Sequence, residues 1–93
     1  MAKLTFKQDF TLEVGDETFA GTFKELTRKE NKKFKDKYSG KEDIDEDILF
    51  KDRLAISVSG DDKKAIMAIG EEYNYKAVFE TIIKDIREKQ EGK

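Results

Sequence analysis

The sequence predicts an α+β domain in which an N-terminal antiparallel β-hairpin packs against three or four α-helices, the longest of them C-terminal. Two patterns carry this prediction. Apolar and polar residues alternate near the N-terminus, and apolar residues recur at helical spacing from residue 75 onward. The length of 93 residues suits one domain, and the chain contains no Pro and no linker-like segment. We therefore expect residues 1–93 to form a single domain with a frayed end over 88–93.

The hairpin is predicted from a change of parity around Gly15-Asp16. Apolar residues and one glycine stand first at even and then at odd positions: Leu4, Phe6, Phe10, Leu12 and Val14, then Phe19, Gly21 and Phe23. A two-residue turn pairs Leu12 with Phe19, whereas a turn centred one residue later, or a four-residue loop, pairs Val14 with Phe19. Both registers keep the apolar side chains on one face of the ribbon. Gly21 leaves room for a phenylalanine that packs across it.

A capping box predicts the first helix. Thr27 and Glu30 have the spacing at which each side chain accepts a hydrogen bond from the other residue's backbone amide. The helix that follows covers residues 28–38 and offers only Phe34 and Tyr38 as inward-facing residues. We expect both of these aromatic side chains to be buried.

The segment after this helix allows two interpretations. Ile44 and Ile48 have helical spacing, but the residues from Leu54 to Val58 alternate as in a strand. The first choice is a helix over 44–52 followed by a third short strand near 54–58, and the alternative is one helix that continues to residue 58. Periodicity does not decide between them for so short an apolar run.

Two further helices follow. Ser59 or Asp61 caps a helix over 63–69 that ends at Gly70, and Asn74 caps the longest helix. The longest helix carries an apolar stripe that faces the core: Tyr75, Val78, Phe79, Ile82, Ile83 and Ile86.

The composition narrows the chemistry. The chain has no His and no Cys, which removes Ser–His and Cys–His nucleophiles, structural zinc sites and disulfides. We therefore expect neither an enzyme nor a cofactor. No apolar run reaches the roughly 18–20 residues of a membrane span, and the N-terminus lacks a signal-peptide core. These features predict a cytoplasmic protein with no membrane partner.

The acidic stretch over 42–47 resembles the start of a calcium-binding loop. Asp43, Asp45 and Asp47 match the first three ligand positions of an EF-hand, but its glycine position holds Ile48 and its final glutamate position holds Leu54. A solvated loop that favours the start of the next helix is the preferred interpretation, and weak binding of a divalent cation is the alternative.

A basic segment is the strongest candidate for a contact surface. Residues 27–41 contain seven cations and two acids, a balance of +5, whereas 42–52 contain six acids and one lysine, a balance of −5. The candidate contact residues are Arg28, Lys29, Lys32 and Lys33. They predict a protein partner, or alternatively a nucleic-acid-associated regulator that uses the basic helix over 28–37. The acidic pI of about 5.3 makes nucleic acid the second choice.

The layout resembles the tail assembly chaperones of long-tailed phages. The resemblance lies in the Phe-rich hairpin from Phe6 to Phe23, the segment Phe23-Lys24-Glu25-Leu26-Thr27-Arg28-Lys29-Glu30, and a charged linker leading to a C-terminal amphipathic helix. It implies a phage or prophage protein of the bacterial cytoplasm that binds a tape-measure or other tail protein before the tail tube polymerises. We expect the partner to bind at the hairpin edge or in the groove between the hairpin and the helices, and the edge also makes a homo-oligomer an option.

Overall fold

A computed structural model of the protein describes residues 6–40 and 44–91. Within these ranges it contains a three-stranded antiparallel sheet and four helices, which confirms the predicted α+β class. The elements are β1 (Lys7–Val14), β2 (Glu17–Lys24), α1 (Arg28–Tyr38), α2 (Glu46–Ser57), β3 (Val58–Ser59), α3 (Lys63–Glu72) and α4 (Tyr75–Glu91). The longest helix is C-terminal, as expected. Leu4 and Asp43 lie outside the described residues, and fraying over 88–93 stays a prediction.

The hairpin has the register of the two-residue turn. Leu12 pairs with Phe19, and Phe10 pairs with Gly21. Gly15 in the turn has a φ of 61°, which a glycine adopts without steric cost. A Cβ atom at Gly21 would lie 2.9 Å from Phe10 Cζ, so the glycine provides the predicted space for the ring. Phe6 departs from the prediction, because it precedes β1 and is 57% exposed.

The core lies between one face of the sheet and helices α2, α3 and α4. It is built from the apolar positions of the hairpin and from the predicted stripe of α4, four of whose residues are buried while Phe79 and Ile83 pack at its margin. The buried apolar residues are Phe10, Leu12, Phe23, Leu54, Val58, Ile66, Tyr75, Val78, Ile82 and Ile86. The hairpin and α4 therefore cover each other, as neither is stable alone.

Helix α2 corrects the first choice for the middle of the chain. The residues from Leu54 to Ser57 are helical, so the third strand is reduced to Val58–Ser59, which pairs with Thr22 and Phe23 of β2. Leu54 and Ser57 are both buried on the inner face of the helix. The Arg53 guanidinium donates to the Ser57 hydroxyl one turn on, which satisfies this buried hydroxyl within the helix. A strand over 54–58 would have placed alternate residues on opposite faces and lost this arrangement.

Helix α3 corrects two further expectations. Gly70 does not end the helix but lies inside it, buried against the ring of Tyr75. The residue before the helix is Asp62, and neither Ser59 nor Asp61 caps it. Asn74 does cap α4 as predicted, because its side-chain oxygen accepts a hydrogen bond from the Ala77 amide.

Helix α1 lies at the margin of the domain. The predicted capping box is present, with the Glu30 amide donating to Thr27 Oγ1 and the Thr27 amide donating to Glu30 Oε1, both at 3.1 Å. The expected burial of Phe34 and Tyr38 is wrong: α1 buries none of its residues, and both rings remain partly exposed. Polar contacts at its two ends hold this helix, because its sequence supplies too few apolar residues to dock it on the core.

In the part of the chain that the structure describes, no helix combines the length and the apolar character that crossing a membrane requires.

Candidate protein-interaction surface

Both long edges of the hairpin are closed near their centres. The Thr11 amide on β1 donates to Asp85 Oδ2 of α4 at 2.9 Å, and the Ala20 amide on β2 donates to Asp62 Oδ2 at 2.8 Å. Counting from the pair that closes the two-residue turn, Thr11 and Ala20 form a non-hydrogen-bonded pair of the hairpin, so both amides point outward from the ribbon. Each edge therefore has a carboxylate where an added strand would need the amide.

Asp85 is held in place by two donors. Its carboxylate accepts from the Thr11 amide and lies 3.0 Å from the Lys89 ammonium, one turn later in α4. Partial burial raises the pKa of Asp85, but the Thr11 amide and Lys89 outweigh that effect and hold the pKa below its ordinary value. The group that closes the β1 edge is therefore ionised at neutral pH.

A groove of about 460 Å³ runs between α1 and α2. Its lining comes from residues spaced i, i+3, i+4 and i+7 on α1 and i, i+3 and i+4 on α2, so each helix presents one face to it. The lining residues are Glu30, Lys33, Phe34 and Lys37 of α1 with Asp52, Ala55 and Ile56 of α2. Phe34, Ala55 and Ile56 form its apolar part, and Ile56 is 44% exposed.

Most of the charges in this groove are already paired within the chain. Glu30 accepts from Lys24 Nζ at 3.0 Å, and Asp52 accepts from Lys37 Nζ at 2.7 Å. The Tyr38 hydroxyl also donates to Asp52. Lys37 and this hydroxyl lower the pKa of Asp52, and together these contacts join the end of α1 to α2.

Lys33 is different from the other charged residues of the groove. Among residues 6–40 and 44–91 it has no ion-pair partner. The sum of the unpaired charge inside the groove is therefore positive. This places one free cation beside the exposed apolar surface of Phe34 and Ile56.

The predicted contact residues all lie on the exposed surface of α1. The structure brings Lys33 into the groove, whereas Arg28, Lys29 and Lys32 lie outside its lining. Lys35 is a further exposed cation of the same helix. Within the described part of the chain the predicted contact residues form no ion pair, so the basic surface made by these four side chains remains available to an anionic partner, whereas Lys35 lies outside it.

In the described part of the acidic stretch, the aspartates cap the starts of helices. Asp45 is the N-cap of α2, and its Oδ1 accepts from the Asp47 amide at 2.9 Å. The Asp47 carboxylate in turn accepts from the Tyr75 amide at the start of α4, at 2.8 Å. Asp43, the remaining candidate calcium ligand, lies outside the described residues. Among the residues that are described, no group of three metal-ligating side chains comes together.

Sequence reasoning missed the α2 side of the groove and the carboxylates at the hairpin edges. A signal for the first was present, because Ile48, Asp52 and Ala55 form a stripe if the helix continues to residue 58. No local signal marks Asp62 and Asp85, since each bonds to a backbone amide at least 42 residues away.

Comparison of the chain with protein-family profiles, with curated proteins and with solved structures finds no significant match.

Proposed function

We propose that this protein is a non-enzymatic interaction module that binds another protein through the groove between α1 and α2 and the basic surface beside it. The observation that supports this proposal is the combination, in one place, of exposed apolar side chains and a cation that has no ion-pair partner among the described residues. Exposed apolar surface next to polar groups is typical of protein-interaction sites. The partner that the resemblance suggests is a tape-measure or other tail protein, which would make the chain a tail assembly chaperone.

The groove is a better candidate than the hairpin edge for binding a partner. Strand addition needs a row of free amides and carbonyls, and both edges carry a carboxylate at the centre of the row. A carbonyl oxygen of an approaching strand would find the central amide already bonded and would face a negatively charged carboxylate. A homo-oligomer formed through these edges is disfavoured for the same reason.

Co-expression with the tail proteins encoded beside the chain, followed by affinity purification, tests the proposal. We expect a tail protein to co-purify with the wild type and to be lost from Ile56→Gln. Ile48→Gln is the matched control, because Ile48 is an exposed isoleucine of the same helix that does not line the groove. The proposal is rejected if no tail protein co-purifies with the wild type.

A second candidate function, nucleic-acid binding, is supported by the unpaired cations of α1. It predicts that a DNA or RNA duplex or single strand binds at low salt and that the logarithm of the affinity falls linearly with the logarithm of the salt concentration. Fluorescence anisotropy of labelled oligonucleotides measures this. The absence of binding at low salt would remove this candidate.

A further inference from the structure

We infer, on the basis of the proposed function, that the partner segment is a single amphipathic α-helix with acidic residues along one flank, seated in the groove between α1 and α2.

The shape of the groove fits a helix. Its walls are two helices, and α1 has 11 residues, which corresponds to a length of roughly 16 Å or three turns. The apolar part is made by Phe34 on one wall and by Ala55 and Ile56 on the other. A helix that projects apolar residues at i, i+3, i+4 and i+7 places them in one row over such a floor, which is the helix-in-groove mode of peptide recognition.

The charge of the groove favours a partner helix that carries acidic residues along one flank. Glu30 and Asp52 are neutralised by Lys24 and Lys37, so neither acid is free to attract a basic partner. Lys33 is free in the described part of the chain, and Lys29 precedes it by one helical turn. A helix with glutamates along the side facing α1 pairs with these cations, whereas a helix with lysines there is repelled.

The alternative for an extended partner is strand addition to the sheet. Asp85 and Asp62 each accept a hydrogen bond from the central amide of one hairpin edge. Beyond Ala20, β2 is paired with β3. An extended segment therefore finds no free edge at the middle of the hairpin. A helical segment satisfies its own backbone and needs only the side-chain contacts that the groove offers.

Two synthetic helical peptides are the probes for this inference. Both carry leucines at i, i+3, i+4 and i+7 and are stapled on the opposite face to fix the helix. One has glutamates along one flank and the other has lysines at the same positions. We expect the glutamate peptide to bind the wild-type chain about fivefold to tenfold more tightly than the lysine peptide at low salt, and the difference to shrink as salt is added.

Two matched pairs of variants locate the binding. Lys33→Glu should abolish or reverse the preference between the peptides, whereas Lys35→Glu, on the same helix but outside the groove, should leave most of it. Ile56→Gln should weaken binding of both peptides about tenfold or more, whereas Ile48→Gln should leave it unchanged. Circular dichroism checks that every variant retains its helix content, which we expect because all four side chains are partly or fully exposed.

The results that overturn the inference are specific. Equal binding of the two peptides, loss of binding in Ile48→Gln as much as in Ile56→Gln, or tighter binding of an oligonucleotide than of the glutamate peptide would each reject it. Light scattering adds one more: a homo-oligomer that dissociates in Ile56→Gln would identify a second copy of the chain as the occupant. If a tail protein co-purifies with the wild type and is lost from Ile56→Gln, but the two peptides bind equally, the proposed function stands and this inference alone fails.

Discussion

Replacement of Gly70 by alanine tests how tightly α3 and α4 are fitted together. Gly70 lies inside α3, and a Cβ atom there would sit 2.7 Å from Cε1 and 3.1 Å from Cγ of Tyr75. The Tyr75 ring has little freedom to retreat. It is 4% exposed, its hydroxyl donates to Glu71 at 2.6 Å, and its backbone amide donates to Asp47 at 2.8 Å.

Two opposing effects set the size of the change. Alanine in a helix interior is more favourable than glycine by about 1 kcal/mol. Overpacking of a well-filled core costs about 1–3 kcal/mol. The contact with Tyr75 is close enough for the second effect to prevail, so we expect Gly70→Ala to lower the free energy of unfolding by about 1 kcal/mol. Urea unfolding followed by circular dichroism measures this.

Two controls separate packing from helix propensity. Ala68→Gly makes the reverse exchange at an exposed position of the same helix, and should cost about 0.5–1 kcal/mol from propensity alone. In a Tyr75→Leu background, where the ring is gone, Gly70→Ala should become neutral or stabilising. If Gly70→Ala stabilises the wild type, or has the same effect in both backgrounds, the close packing of Gly70 on Tyr75 is refuted.

Three further predictions concern charged and polar contacts. The hydrogen bond from the Lys24 ammonium, and to a lesser extent the capping hydrogen bonds at the start of α1, lower the pKa of Glu30 from 4.5 to about 2. The stabilisation from Glu30 is therefore complete above pH 4.5 and is lost as the pH falls toward 2; an NMR titration with its midpoint near 4.5 would contradict this. Removal of both edge carboxylates, in the double variant Asp62→Ala with Asp85→Ala, should destabilise the chain by about 1–3 kcal/mol. It should also cause concentration-dependent association, which light scattering measures. A double variant that stays a stable monomer would argue against edge closure. A hydrogen bond to a neighbouring glutamate raises the pKa of Tyr75 to about 12. The stabilisation that the protonated Tyr75 hydroxyl contributes is therefore lost only as the pH rises from 10 to 12. Ultraviolet titration of a Tyr75→Phe variant should lack this late ionisation step.

The elements that sequence reasoning predicted correctly are those specified by local patterns. The parity change around Gly15 and Asp16 left a small set of hairpin registers, of which the two-residue turn is the one formed. The capping box at Thr27 and the cap at Asn74 both lie where the spacing of polar and apolar residues placed them. In each case the interacting residues are close in the chain, so the sequence alone contains the relevant geometry.

The errors come from contacts between distant segments. Gly70 looked like a helix end because glycine is common there, but its role is to admit the ring of Tyr75 from the next helix. Most of the segment 54–58, which was expected to be a strand, is helical in the structure, because the helix buries Leu54 and Ser57 on one face. Phe34 was expected in the core, but α1 is held at its ends by polar contacts, and this leaves the ring on the wall of the groove.

The candidate site could be predicted only on its α1 side. Charge counting identified the basic helix, and the structure places Lys33 of that helix in the groove. The apolar wall of α2 depends on the helix continuing past residue 52, which was the second of two interpretations. The closure of the hairpin edges by carboxylates was not visible in the sequence. This closure favours the groove over strand addition as the way a partner binds.

The most direct test of the account is an amide NMR titration of the isotope-labelled chain with the glutamate-flanked helical peptide. We predict that the largest chemical-shift changes fall on the groove and leave the hairpin edges at Thr11 and Ala20 unchanged. The expected residues are Lys33, Phe34, Lys37, Asp52, Ala55 and Ile56. Shifts that concentrate on the hairpin edges, or an unchanged spectrum at saturating peptide, would contradict the assignment of the groove as the partner-binding surface.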